Sequence, residues 1–207
     1  MNGVFITFEG LDGCGKTTHL EKADQLLREK GYRTLVIREP GGTWVGERIR
    51  EILLDRSGKG MDDVAELLLF ASARSQITRE VILPALEAGT VVLCDRYIDS
   101  TVAYQGYGRG LDIGMVHRIN EIATGGLMPL RTYLFDLPAE AATERMRARG
   151  GIPDRMDENS MAFKRRVRDG YLEIARREPG RFVLIDAQGT IGETAQRLSQ
   201  KLEEVLP

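Results

Sequence analysis

Residues 8–18 read FEGLDGCGKTT, with three glycines on one short loop followed by a lysine and two threonines. Gly10, Gly15, Lys16 and Thr17 fit the phosphate-loop pattern GxxxxGK[ST]. Glycines let a backbone turn tightly and bring its N–H groups, here those of Gly10, Leu11, Asp12, Gly13, Cys14 and Gly15, against phosphate oxygens. The positive end of a following helix adds to that attraction. Lys16 suits the β- and γ-phosphates and the Thr17 hydroxyl suits a magnesium ion. These residues predict a nucleoside triphosphate site.

Other residues extend the chemistry. Asp95 closes the apolar run TVVLCD (90–95), where an acidic side chain either supports magnesium beside a phosphate loop or caps the next turn. Arg96 follows it and suits a second phosphate, because a planar guanidinium holds phosphoryl oxygens in bidentate fashion. Arg38, in REPGGT (38–43), ranks next; Arg50 reads as a further candidate or a solvated surface residue. Phe70 and Arg74 lie four residues apart in LLLFASARSQ (67–76), so they share a helix face. A ring can stack on a base, and a guanidinium, which only donates, matches the O4 carbonyl of thymine or uracil. Core packing plus a surface charge is the plainer reading of that pair.

These side chains need elements to position them. VFITF (4–8), RTLVIR (33–38), TVVLCD, RTYLFD (131–136) and RFVLID (181–186) read as strands. Helical spacing appears over 17–29 and near 44–55, 61–88, 112–124, 138–149, 158–178 and 190–205. Short apolar strands alternating with amphipathic helices predict βαβ units and a mainly parallel sheet covered on both faces. Ligands then gather at the carboxyl ends of the strands, which carry Glu9, Arg38, Asp95 with Arg96, Asp136 and Asp186.

Composition sets the frame. With 207 residues and 42% hydrophobic content the chain supports one core, and a single domain over 1–207 is the expectation. A net charge of −2 offers no global basic field for nucleic acid. No apolar run approaches the ~20 residues of a membrane span, and no signal peptide precedes the first strand. The two cysteines form no CxxC pair, so a reduced, cytoplasmic enzyme is expected. Cys14, at a helix N-terminus, reads either as a reactive thiol shielded by ATP or as a small residue filling a small space. His19 and His117 stand in no catalytic setting; His19 reads as a surface or packing residue.

FEGLDGCGKTT, REPGGT, LLFASAR, DRYIDSTVAYQG (95–106) and a late arginine-rich segment, in that order, resemble the thymidylate kinase family over essentially the full length. The resemblance implies transfer of the γ-phosphoryl group of ATP to dTMP with Mg2+. It also implies an α/β fold of P-loop kinase type, a five-stranded parallel sheet with helices on both faces, and a homodimer. It places Phe70 on thymine, Arg74 at O4, and Thr101 and Gln105 near the base's other polar edge, with Ser100 in the same substrate-binding set. Tyr104 crowds the sugar's 2′ position, Asp12 accepts the 3′-hydroxyl, and Arg96 holds the acceptor phosphate. Two stretches depart from the family pattern: Pro129-Leu130-Arg131-Thr132 and MRARGGIPDRMD (146–157).

The alternatives are a kinase for another nucleoside monophosphate, a GTP-binding switch and a nucleic-acid-dependent ATPase. A guanine-reading NKxD segment is missing from the sequence.

Residues 145–168 set eight basic side chains against three acidic ones in a chain that is acidic overall. Lys164 to Arg168 read as a solvated basic helix. Arg145 to Arg155, interrupted by Gly150, Gly151 and Pro153, read as a mobile lid over about 145–157. By the same resemblance Arg149 is the arginine that meets transition-state charge, with Arg145, Arg147 and Arg155 as alternatives.

Overall fold

The computed structural model describes residues 3–58, 60–150, 154–156 and 159–202. Five strands, β1 (Val4–Glu9), β2 (Thr34–Arg38), β3 (Val91–Asp95), β4 (Arg131–Asp136) and β5 (Phe182–Asp186), form one parallel sheet in the order β2-β3-β1-β4-β5. The strands read as apolar runs because both faces are covered. Ile6, Phe8 and Leu93 turn to one face, against Leu20, Leu27, Val167 and Tyr171; Phe5, Val92 and Cys94 turn to the other, against Ile77, Ile82 and Leu86.

The helices are α1 (Lys16–Glu29), α2 (Trp44–Leu54), α3 (Asp63–Ile77), α4 (Leu83–Glu87), α5 (Ile98–Thr101), α6 (Ile113–Thr124), α7 (Ala139–Arg149), α8 (Met161–Arg177) and α9 (Ile191–Leu202). Local chemistry starts several of them. Thr43, Asp62, Asp112 and Ser160 each accept a first-turn N–H of α2, α3, α6 and α8, satisfying donors that a helix start leaves unpaired.

Two helical expectations change. The span 61–88 is broken: α3 ends at Ile77, a wider π-helical turn runs over Thr78–Ile82, and α4 follows. Pro84, at the start of α4, lacks an N–H and crowds the preceding turn, so the regular ladder cannot run through it. Residues 98–108, outside the expected helical spans, form α5 and a π-helical segment over Val102–Gly108. Glycine makes that packing possible: a Cβ on Gly170 of α8 would lie 2.6 Å from the Tyr107 ring. Gly151, Pro153, Asp157, Glu158 and 203–205, which enter the expectations above, lie outside the described residues.

The chain leaves β1 towards β2 on one side and β3 towards β4 on the other, so β1 and β3, neighbours in the sheet, are where the connections diverge. Such a switch point opens a crevice at the carboxyl ends of the strands. Register aligns Phe8 and Arg38 with Asp95 at that edge.

Candidate functional site

The loop after β1 leads into α1 with Gly15 as a left-handed cap (φ 92°), leaving the helix's first N–H groups facing the crevice. Gly13 is also left-handed (φ 89°), and a Cβ there would sit 2.2 Å from the Ala142 carbonyl oxygen of α7. Only glycine fits. Lys16 is buried and its Nζ donates to Asp12 Oδ1 at 3.1 Å. The Thr17 hydroxyl donates to Asp95 Oδ2 at 2.5 Å, while Asp95 Oδ1 is buried without a partner. A hydroxyl and a carboxylate oxygen free for coordination, beside a phosphate loop, are a hard-oxygen donor set of the kind magnesium takes. The residues fit that ion.

Arg96 is the hub across the crevice. It is the one non-glycine with positive φ (73°) among the described residues, a conformation costing about 1–3 kcal/mol that surrounding contacts must hold. Its N–H bonds to the Phe8 carbonyl at 3.0 Å, and its carbonyl accepts from the Cys94 thiol at 2.9 Å. Its Nη2 donates to Asp12 Oδ1 at 2.7 Å and to the Tyr104 hydroxyl at 3.2 Å; its Nη1 donates to Ser100 Oγ at 3.1 Å and Tyr171 Oη at 3.2 Å. Burial alone would raise the Asp12 carboxyl, but Arg96 and Lys16 outweigh it and hold the group well below the usual carboxylate range. Behind them, burial and then Asp99 push Glu9 up to about 7, with Arg96 opposing.

Arg74 is fully buried. Its Nε donates to Glu39 Oε2 at 2.7 Å, Nη1 to Thr101 Oγ1 and Asn120 Oδ1 at 2.7 and 2.8 Å, and Nη2 to the Tyr97 carbonyl at 3.0 Å. One Nη2 hydrogen is left for a ligand. Burial outweighs Arg74 at Glu39 and raises that carboxyl to about 7. Half-buried Phe70 lies one turn away, packed with Ile49, Leu53 and Ala73. Gln105 donates to Glu66 at 2.8 Å, and the same buried carboxylate takes Arg109 at 3.0 Å and Arg155 at 2.6 Å.

One cleft of about 850 Å³ is lined by Asp12, Gly13, Gly15, Lys16, Thr17, Arg38, Arg50, Phe70, Arg74, Asp95, Arg96, Ser100, Thr101, Tyr104, Gln105 and Arg149. Arg50 therefore belongs to the cleft and not to the open surface; its Nη1 donates to the Pro40 carbonyl, as does Arg38. Of the lid candidates, Arg145 is bonded to the Ala187 and Gly189 carbonyls and Arg155 to Glu66 and the Leu53 carbonyl. Arg149 lines the cleft.

Several expectations are corrected. The side chains of Leu11 and Cys14 turn into the core, and a Cβ on Gly10 would meet the Phe135 carbonyl, so at these three positions only the backbone is left to face a phosphate. Cys14 is buried and its thiol is pushed up by that burial, which the nearby Lys16 does not overcome, an environment that disfavours a reactive thiolate. Asp136 and Asp186 stand away from the cleft, Asp136 in a pair with Arg168 at 2.7 Å and Asp186 bonded to the Gln188 N–H. The basic stretch of α8 is paired as well as solvated, since Arg165 meets Glu140 and Arg166 meets the Gly108 carbonyl. His19 packs, with Nδ1 2.7 Å from the Gly15 carbonyl oxygen. Glu39, Glu66, Asn120 and Tyr171 were not foreseen. Glu39 sits inside the quoted REPGGT, but a lone glutamate at a strand end carries no distance to Arg74.

A phosphate loop and a second basic pocket meeting in one cleft, on a five-stranded parallel sheet, define an ATP-dependent nucleoside monophosphate kinase of P-loop type. A family model described as thymidylate kinase matches residues 8–198. The chain is similar to the thymidylate kinase of Geotalea daltonii, 48% identical over 198 residues covering 93% of this chain and 92% of the relative. It is also 48% identical to that of Desulfosudis oleivorans over 208 residues, covering 98% and 97%. The crystal structure of thymidylate kinase from Ehrlichia chaffeensis superposes with a TM-score of 0.78 at 33% identity, covering 97% of this chain and 98% of that one. The chain belongs to the thymidylate kinase family.

Proposed function

We propose that the chain transfers the γ-phosphoryl group of ATP to dTMP, giving dTDP and ADP on the way to dTTP, with donor and acceptor end to end in this one cleft. The observation that carries the reading is the bonding of Asp12 to both Lys16 and Arg96: one carboxylate joins the donor-phosphate lysine to the acceptor-phosphate arginine. The backbone of 10–15 cradles the donor phosphates and Lys16 meets the β- and γ-oxygens. Thr17 and Asp95 would hold Mg2+, which would supply charge neutralisation for the donor phosphates.

On the acceptor side, Phe70 stacks on thymine and the remaining Nη2 hydrogen of Arg74 meets O4, beside Thr101 and Gln105. Tyr104 crowds C2′, Asp12 accepts the 3′-hydroxyl, and Arg96, with Arg38, Arg50 and Ser100 near it, holds the phosphate. That phosphate has a second pKa of about 6 and is mostly dianionic at neutral pH, so attack needs no general base. Catalysis is then positioning and charge stabilisation. Arg149, at the end of α7 and on the cleft wall, meets the charge of the transferring group, and the segment 145–157 serves as the lid that brings it in.

The whole chain acts as one domain, in the cytoplasm, as a homodimer; among the described residues no helix is long and apolar enough to cross a membrane. Exposed Val64 and Leu68, one turn apart on α3, and Ile122 on the adjacent α6 support self-association through that face. The deciding experiment is ADP release from ATP across dTMP, dUMP, dCMP, UMP, AMP and GMP. Preference for dTMP supports the reading; equal or greater turnover of another acceptor rejects it.

A further inference from the structure

Glu9 ends β1 immediately before the phosphate loop, fully buried and outside the cleft lining, so it cannot touch either nucleotide. Its contacts nevertheless converge on one cleft residue. Oε1 accepts the backbone N–H of Tyr97, the peptide that follows the left-handed Arg96, at 2.7 Å. Oε2 accepts the Ser100 hydroxyl at 2.5 Å and the Tyr171 hydroxyl at 2.8 Å. Those same two oxygens accept the Nη1 hydrogens of Arg96 at 3.1 and 3.2 Å. A single carboxylate thus fixes the backbone beyond Arg96 and orients both acceptors of its guanidinium.

We infer that Glu9 is a positioning residue for the acceptor phosphate, holding Arg96 in its strained backbone conformation and aiming its guanidinium through the hydroxyls of Ser100 and Tyr171. The physical need is plain. A non-glycine residue in the left-handed region relaxes unless its surroundings over-determine it. A guanidinium that must present a fixed face to a phosphate gains from having its other face already satisfied. Glu9 supplies both restraints. Its two oxygens act on different parts of Arg96: Oε1 on the backbone that sets where the side chain begins, Oε2 on the hydroxyls that set where its far end points.

Chemistry also tells what replacement does. In Glu9→Gln the oxygen must stay towards the Tyr97 N–H, which can only donate, so the amide nitrogen faces Ser100 and Tyr171. An amide nitrogen donates where the carboxylate accepted. The two hydroxyls then lose their shared acceptor and turn, and the seat of Nη1 is lost while the side-chain shape is kept.

This inference rests on the reading of Arg96 as the phosphate holder. Its test compares dTMP with thymidine, which keeps base and sugar and lacks the phosphate, by titration calorimetry without ATP. Glu9→Gln is expected to weaken dTMP binding roughly tenfold, the loss typical of one charged hydrogen bond, and to leave thymidine binding unchanged. A merely structural role would weaken both ligands alike, and that result, or no change in either, overturns the inference. Tyr171→Phe leaves the Tyr97 peptide untouched and should show the same selectivity; it carries the comparison if Glu9→Gln does not fold, and loss of both ligands or of neither in it is equally fatal. Arg96→Lys is the control for the underlying reading. If it keeps the full preference for dTMP over thymidine, Arg96 does not hold the phosphate and Glu9 has nothing to position. If it loses the preference and Glu9→Gln and Tyr171→Phe do not, the phosphate reading stands and the role of Glu9 falls.

Discussion

Arg96 Nη2 and Asp12 Oδ1 stand 2.7 Å apart, and this contact ties the loop after β3 to the phosphate loop after β1. The two residues are far apart in sequence but follow adjacent parallel strands whose onward connections leave to opposite sides of the sheet. Lys16 reaches the same Oδ1 at 3.1 Å, so one carboxylate sits between two cations on the wall of the cleft.

Arg149 lines the cleft while Arg145 and Arg155 are committed to other partners. Arg149→Ala should lower kcat by about a hundredfold or more with little change in the KM for dTMP, as expected of a group acting mainly in the transition state. Steady-state kinetics with dTMP varied decides it. A raised KM with kcat intact would make Arg149 a ground-state clamp.

Removing Arg74 leaves Glu39 buried beside an orphaned Thr101 and Asn120. Arg74→Ala should therefore cost about 3–5 kcal/mol of stability as well as dTMP use, because a buried charge loses its partner. Urea unfolding measures the first, and a stability within 1 kcal/mol of wild type, on the order of a surface substitution, would contradict it.

Asp95→Asn removes the charge from the carboxylate that receives the Thr17 hydroxyl. The variant should need substantially more Mg2+ for half-maximal rate, with ATP saturating. An unchanged Mg2+ titration would take Asp95 out of the metal's surroundings.

Glu39, raised to about 7, gives a pH signature. Between its unfolded value near 4.5 and about 7 the folded chain binds more protons at this group than the unfolded chain does. Its contribution is therefore fully present below the lower value and is lost as pH rises through the upper one. The stability of wild type relative to Glu39→Gln should fall from pH 5 to pH 8, and urea midpoints with m-values at both ends of that window check the sign. A rise would mean that Arg74 dominates burial.

Both thiols are buried and pushed up by burial, Cys94 further than Cys14. Alkylation of the folded protein at pH 7.5 should be slow at both, with or without ATP, and complete after unfolding in denaturant. Rapid labelling of Cys14 that ATP suppresses would overturn this.

Local signals were enough for the sheet, most helices and the phosphate loop. Strand runs buried on two faces, helical spacing and the GxxxxGK[ST] order are written in short windows, and each window carries its own physical cause. That Arg96 follows Asp95 at a strand end and that Phe70 and Arg74 share a helix face were equally legible, but the full burial of Arg74 was not. Pairing was not legible. That Arg50 leans into the cleft, that Arg155 is spent on Glu66, that Cys14 lies in the core, and that Asp136 is taken by Arg168 all depend on contacts between segments distant in the chain. The helical turn over 98–108, outside the helices expected from spacing, depends in the same way on a distant segment, since Gly108 lies against Phe163 and Val167 of α8. Sequence determined which groups this kinase owns; only the tertiary structure decided which are already satisfied by one another, and so which remain to meet a substrate.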